Sequence, residues 1–296
     1  MYPGARFYGI KEIMLGYAQL PKFLPFPVAI HHGWHRDVHD FEAVAKPPEI
    51  WVWSERIARE MIRFYPRDRI RIVGSFFCYL MESIKNELPP KEKNGSICIP
   101  PHSSHFAKTE YSVDSFARAL DQLGDDFKPI TVMLYYLDMD PHTVSVYKSF
   151  GFNVVSNGNL FDENFLRNFI LNVYDKKHCI FSDLGSGVIY AGYLGLNLHH
   201  LELPSQVKNL GNPHLSKEYI ETSFRFDKNF LLSINSTSIN EEMGTNHLLS
   251  PQELRRAILR NYFTWSFVRT FTYTMARRIG GAVLHRIGLR RRSLNV

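Results

Sequence analysis

Short apolar runs alternate with amphipathic stretches of helical spacing from about residue 95 to residue 203. Residues 97–99 read as a buried strand that stops at Pro100-Pro101. Ser112 or Asp114 can then cap a helix with Phe116, Ala117, Leu120 and Leu123 on one face, closed by Gly124. The pattern repeats: a strand at 130–137, a helix at 143–150 ended by Gly151, and a strand at 152–155. A helix capped by Asp162 follows, with Phe165, Phe169, Ile170 and Val173 facing inward. A strand at 179–181, a helix at 188–194 ended by Gly195 and a strand at 196–203 complete the series. Strands separated by helices of this length predict βαβ units and a parallel sheet, a Rossmann-like half.

The chain before this is less regular. Strands are predicted at 28–30, 50–53 and 70–73, with a helix over 54–64 that turns Ile57, Ala58, Met61 and Ile62 inward. This reads as a smaller α/β half, and the stretch from Pro89 to Gly95 as the linker. Residues 205–248 are polar and weakly patterned. Ser250, Pro251 and Glu253 form an N-cap signature, opening a long helix predicted to run to Arg278 and to break at Gly280-Gly281. Val268, Phe271, Met275 and Ile279 recur along it at helical spacing, with Trp265 and Phe267 near the start, a stripe expected to pack on the body. The expected units are therefore 1–94, 95–248 and 249–296. The fold class is α/β, two Rossmann-like halves with the first reduced, followed by long C-terminal helices.

Composition narrows the function classes. Of 296 residues, 45% are hydrophobic and 22% charged, which excludes disordered, collagenous and coiled-coil chains. No run approaches the roughly 18 apolar residues of a membrane span, and Lys11 and Glu12 interrupt the one apolar N-terminal candidate for a signal peptide. Cys78, Cys98 and Cys179 are distant and odd in number, which argues against a disulfide framework or a thiolate zinc site and fits a cytoplasmic protein.

The net charge of +6 hides an asymmetry. After Glu253 there are ten arginines and no acidic residue or lysine. Residues 1–253 thus hold 25 lysines and arginines against 29 aspartates and glutamates, a net of −4. An acidic body argues against nucleic acid as the partner, and a basic end points to an anionic one, such as the inner face of a membrane.

Three constellations can carry chemistry. Ser182-Asp183-Leu184-Gly185-Ser186-Gly187 follows a predicted strand and opens a helix. Free amides, the helix dipole and the Ser182 and Ser186 hydroxyls suit a phosphate, although the same residues also suit an ordinary capped turn. His102, Ser103, Ser104 and His105 end another strand of the same half; they can grip a diphosphate, protonate a leaving group, or cap the next helix. Third, four of the thirteen histidines fall within residues 31–40, with Asp37 and Asp40 among them. His32 or Asp37 there is a candidate general base; a solvated polar loop is the alternative, and Gly33 disfavours a helical zinc site. Asp138, Asp140 and the His199-His200 pair are weaker candidates, more simply explained by turn and strand structure.

The order of these features resembles a bacterial glycosyltransferase of the GT-B architecture, of the kind that builds polysaccharide and lipopolysaccharide. The resemblance spans about residues 25–205. Ile50-Trp51-Val52-Trp53-Ser54 through Ile72-Val73-Gly74 is similar to the end of the family's first half. His31-His32-Gly33-Trp34 is similar to its acceptor-side histidine-glycine loop, and Ser182–Gly187 with Ala191 and Gly195 to its donor-diphosphate loop and helix. Two departures stand out: the first half is short, and no two glutamates have seven residues between them.

The resemblance implies a transferase that uses no metal or other cofactor. It would move a sugar from a nucleotide-sugar donor to a glycan or lipid-linked acceptor. Ser182, Gly185, Ser186 and Gly187 would hold the donor phosphates, with His102, Ser103, Ser104 and His105 assisting at the diphosphate. His32 or Asp37 would serve as base, and His105 would act at the leaving group. Two alternatives stand beside it. A nucleotide-sugar epimerase would be expected to show a complete first half and several acidic catalytic residues. A non-catalytic glycan- or partner-binding protein would bind nucleotide without turnover.

Overall fold

The computed structural model of the chain describes residues 4–34, 42, 47, 49–90, 92–105, 107–211, 234–265, 267–269, 271–273, 275 and 276. The first half begins with α1 (Ile10–Tyr17). β1 (Ala29–Ile30), β2 (Ile50–Val52) and β3 (Ile70–Ile72) then form a parallel sheet in that order. Between β2 and β3 lies α2 (Glu55–Met61), capped by Ser54, whose hydroxyl accepts from the Ile57 N–H at 3.4 Å.

α3 (Phe76–Ile84) closes this half, a helix that periodicity did not reveal. Phe76, Phe77, Cys78, Tyr79, Leu80 and Ile84 are all buried, so little polar face remains to mark a helical stripe. A helix apolar all round belongs between layers. Here the Phe77 ring lies flat on Tyr190 of the second half, 4.1 Å between centroids and 3° between planes.

The second half holds β4 (Ser96–Ile99), β5 (Ala107–Tyr111), α4 (Val113–Asp121), β6 (Ile130–Met133), α5 (Pro141–Ser149) and β7 (Asn153–Val155). α6 (Phe165–Val173), β8 (His178–Phe181), α7 (Ser186–Tyr193), β9 (Asn197–His200) and β10 (Ser205–Asn209) follow. Five strands make an all-parallel sheet in the order β7–β6–β4–β8–β9. That is the Rossmann-like order, in which the chain steps outward from its first strand and then returns to that strand's other side.

β6 is shorter than expected. It stops at Met133, and residues 136–138 turn as a 3₁₀ helix. β5 and β10 pair antiparallel as a separate ribbon. Their residues alternate polar and small, and a Lys208–Glu110 ion pair crosses them, so no apolar run announced the strands.

α8 (Ser236–Met243) and α9 (Pro251–Tyr262) pack back on the first half. The Ser75 N–H donates to Met243 O at 2.8 Å and the Tyr262 hydroxyl to Pro25 O at 2.6 Å. α8 ends at Gly244, where φ is +62° and a Cβ would lie 1.8 Å from Trp53 O. Glycine alone fits there. One core runs through both halves, uniting Trp51, Trp53, Phe76, Phe77 and Tyr79 with Phe169, Phe181, Tyr190, Met243 and Ile258. Each fully buried aromatic in it contributes on the order of 2–3 kcal/mol.

The C-terminal region departs from expectation twice. α9 carries the expected capping box at Ser250 and Glu253 but ends at Tyr262. Thr264 interrupts it: its hydroxyl donates to Asn261 O at 2.9 Å and accepts from the Phe267 N–H at 3.3 Å, capping a new helical turn. The described residues between 265 and 276 are all helical. Second, the expected inward stripe faces out, with Val268 40%, Phe271 41% and Met275 39% exposed. Ile279 and the glycine pair lie outside the described residues, as does Asp37.

Candidate functional site

In the five-stranded sheet the connections from β4 and β8 leave in opposite directions while the strands themselves are neighbours, paired from Ser96↔His178 to Ile99↔Phe181. The loops beyond their carboxyl ends therefore diverge and open a crevice, the usual ligand position in such sheets. These loops hold the Pro100–His105 and Ser182–Gly187 motifs.

After β8, Gly185 occupies the N-cap of α7 and gives it no side-chain cap. Its backbone is extended, and a Cβ there would meet nothing within 4 Å. The positive end of the helix dipole is thus left uncapped by a side chain. Gly187 plays a packing part, since its Cβ would touch Ile99 of β4 at 3.3 Å. Ser182 is 3% exposed, and its hydroxyl has no hydrogen-bond partner among the described residues. Its carbonyl accepts from His200 Nε2 at 3.1 Å, so His200, at the end of β9, braces this loop. Burial pushes the neighbouring Asp183 carboxyl up to about 6.

A second set of residues reaches the same loop from the first half. The His31 N–H extends the β1 ladder to Trp51 O at 2.8 Å, and Trp53 donates to His31 O at 3.0 Å. Glu42 takes His31 Nδ1 at 2.9 Å on one carboxylate oxygen, and both the His32 N–H (3.0 Å) and His32 Nδ1 (2.9 Å) on the other. Burial alone would raise the Glu42 carboxyl, but the two histidines, His31 foremost, outweigh it and hold Glu42 well below its ordinary range. With the carboxylate ionised, Nδ1 of each ring donates to it.

Two residues further on, the Trp34 N–H donates to Ser186 Oγ at 2.8 Å. The Trp34 indole donates to Glu242 at 2.6 Å, Arg56 grips the same carboxylate at 2.7 and 2.9 Å, and the Arg56 guanidinium lies 5.4 Å from the Trp34 ring centre. The His31–Trp34 segment is thus pinned across the cleft onto the first turn of α7. The backbone two residues after His32 is therefore held against the Ser182–Gly187 loop.

The β4 loop is organised differently. Ser103 donates its N–H to Asp138 at 2.8 Å and accepts from the Thr109 N–H at 3.2 Å. Ser104 exchanges bonds with Ala107, donating to its carbonyl at 2.7 Å and accepting from its N–H at 3.0 Å. These serines turn the chain into β5 rather than cap a helix. His102 and His105 are exposed beside Tyr135 and Tyr136, with His105 Nε2 and the Tyr136 hydroxyl 2.8 Å apart.

Sequence reasoning passed over Glu42, Arg56 and Glu242, and quoted Trp34 and Asp183 only within motifs, without a role of their own. Glu42 had no signal beyond its nearness to the histidine cluster. Among the described residues no group of three or more His, Cys, Asp or Glu side chains is arranged to hold a metal ion.

No protein-family model matches the chain, and no curated protein matches it in sequence. Solved structures with a related trace include an S. aureus MnaA–UDP co-structure, 10% identical with a TM-score of 0.37. Another is UDP-GlcNAc 2-epimerase from Neisseria meningitidis bound to UDP-GlcNAc, 11% identical with a TM-score of 0.36. The alignments cover 74% and 79% of this chain but only 59% and 63% of those two, so the chain spans less than two thirds of either. The fold assignment rests on the strand order and register themselves.

Proposed function

We propose that the crevice between β4 and β8 binds the diphosphate of a nucleotide sugar and that the protein is an enzyme acting on that sugar. The observation that carries this reading is the Trp34–Ser186 bond, which ties the Glu42-held histidines to the uncapped start of α7 at the switch point. Anion and acid–base groups then share one cleft. Ser182, Gly185 and Ser186 would face the phosphates, with Gly187 letting α7 sit close to β4. His102 and His105 would close the crevice from the β4 side.

The chemistry favoured is rearrangement of the free nucleotide sugar. Epimerisation at a carbon needs a base to take its proton and an acid to return one on the other face. His32 Nε2, oriented by Glu42, suits the first role. Asp183, whose carboxyl titrates near 6, suits the second. Support for an acidic set comes from Asp183 in the loop itself and from Glu42 and Glu242, which hold the histidines and Trp34.

Sugar transfer to a glycan or lipid-linked acceptor is the second reading. The observation favouring it is the same His32–Glu42 pair, which would equally take a proton from an acceptor hydroxyl, while α7 stabilises the departing nucleotide.

Incubation with a panel of nucleotide sugars in D2O, without acceptor, separates the readings. Rearrangement gives an isomer carrying deuterium on carbon. Transfer gives turnover only after acceptor is added. Nucleotide binding without either product supports the non-catalytic alternative. Gly185→Asp is the control: it supplies an N-cap where the backbone and space tolerate one, yet sets a carboxylate against the phosphate. Unchanged turnover in that variant would remove the crevice from the account.

A further inference from the structure

The exposed face that follows α9 belongs to no part of the cleft. Phe263 is 86% exposed and Trp265 77%, and Val268, Phe271, Tyr273 and Met275 are exposed along the described helical residues between 265 and 276. Phe267, Phe271 and Met275 recur four residues apart with Val268 beside them, so they share one side of the helix. The Phe267 and Phe271 rings stack at 5.7 Å. An apolar patch of this extent marks an interaction surface.

Charge selects the partner. Arg269 is exposed on this stretch and is one of ten arginines after Glu253, a region without one acidic residue. Residues 1–253, at net −4, would be repelled by an anionic surface, so any attraction belongs to this end. Arg260 is already paired with Glu49, and Arg255 with the Gln19 carbonyl. A protein surface of mixed charge would leave most of the arginines from Arg269 onward without a counter-charge; a sheet of lipid phosphates would not. Among the described residues no helix is long and apolar enough to cross a membrane, and an apolar face bordered by arginine and aromatic rings fits the interface plane instead.

We propose that residues 265–276 lie in the headgroup layer of an anionic membrane. Trp265, Val268, Phe271 and Met275 enter the acyl boundary, and the arginines engage lipid phosphates. The proposal is independent of the chemistry in the cleft.

The full chain, sedimented with vesicles of phosphatidylcholine alone or mixed with phosphatidylglycerol, tests this. Binding is expected to the mixed vesicles only, and to fall as salt rises. The triple variant W265S/F271S/M275S should bind about tenfold more weakly or less. Arg269→Gln should lose about fivefold at low salt. Since these side chains are exposed, the melting midpoint should stay unchanged. Absence of binding to the mixed vesicles, or equal binding by the triple variant, would overturn the proposal. So would a wild-type dimer that the triple variant dissolves without vesicle binding, which would assign the face to a second copy of the chain.

Discussion

Two pairs of histidines in this molecule are each tied to a carboxylate, and they sit at opposite ends of strands. His31 and His32 leave the carboxyl end of β1 and share Glu42, which is 3% exposed. His178 and His199 lie on β8 and β9, with His178 at the amino end; they bond one another at 2.9 Å, and His178 reaches Asp126 at 3.0 Å. The Asp126 side chain is 63% exposed and also takes Lys177. The residue types are nearly the same. What differs is that Glu42 is desolvated and follows the carboxyl end of β1, where Trp34, two residues after His32, meets Ser186, whereas Asp126 is screened by water at the amino end of β8. On the proposed function, histidine–carboxylate contact alone is a poor mark of a site, and the strand end it occupies is the sharper one.

Breaking the two carboxylates gives the largest contrast. Glu42→Ala leaves buried histidines without their acceptor and is expected to cost roughly 3–5 kcal/mol in denaturant melts. It should also lower turnover by about 10²–10⁴-fold. Because Glu42 is held well below its ordinary range, its contribution is present near neutrality and is lost as pH falls through that depressed value. Asp126→Ala should leave both midpoint and turnover unchanged; a large loss there would erase the distinction.

A more selective pair follows. His32→Gln should lower turnover by about 10²–10⁴-fold while the nucleotide still raises the melting midpoint. His199→Gln should leave both as they are.

The smallest effects are in pH dependence, and they have opposite signs. Asp183 titrates near 6 in the fold, above its ordinary 3.8. The folded chain holds more protons between these values, so stability falls as pH rises from about 3.8 through 6. A nearby diphosphate favours the protonated carboxyl further. The nucleotide-induced shift in midpoint should thus shrink between pH 6 and 8 in the wild type and flatten in Asp183→Asn. For His199, burial first and the His178 charge second lower the value from 6.5. The unfolded chain then holds more protons, so stability falls as pH drops below about 6.5, and His199→Gln should flatten that limb. Melting curves across this range for the two variants would separate the contributions.

The large sheet was legible because most of its strands are short apolar runs set off by breakers, the proline pair after β4 and the glycines Gly151 and Gly195 that end the helices before β7 and β9. α3 was not, because burial between two layers removed the polar face that periodicity detects. The β5–β10 ribbon was not, because lysine, glutamate and asparagine fill its outward positions. Thr264 broke α9 through a side-chain cap that residue patterns express weakly. Within the candidate site, both loops were visible as motifs at strand ends. The pairing of Glu42 with two histidines, the reach of Trp34 to Ser186 and the desolvation of Asp183 are tertiary events, and no local pattern encodes them.

The central claim is that the β4–β8 crevice receives a nucleotide diphosphate, and thermal unfolding with nucleoside mono- and diphosphates and nucleotide sugars tests it most directly. A ligand at about 100 times its dissociation constant adds about 2.7 kcal/mol to the folded state. The expected result is a rise of several degrees for one nucleoside diphosphate and its sugar. In Gly185→Asp the rise should vanish although the free protein melts no lower than wild type. A midpoint that no nucleotide moves, or a rise that Gly185→Asp retains in full, would contradict the claim.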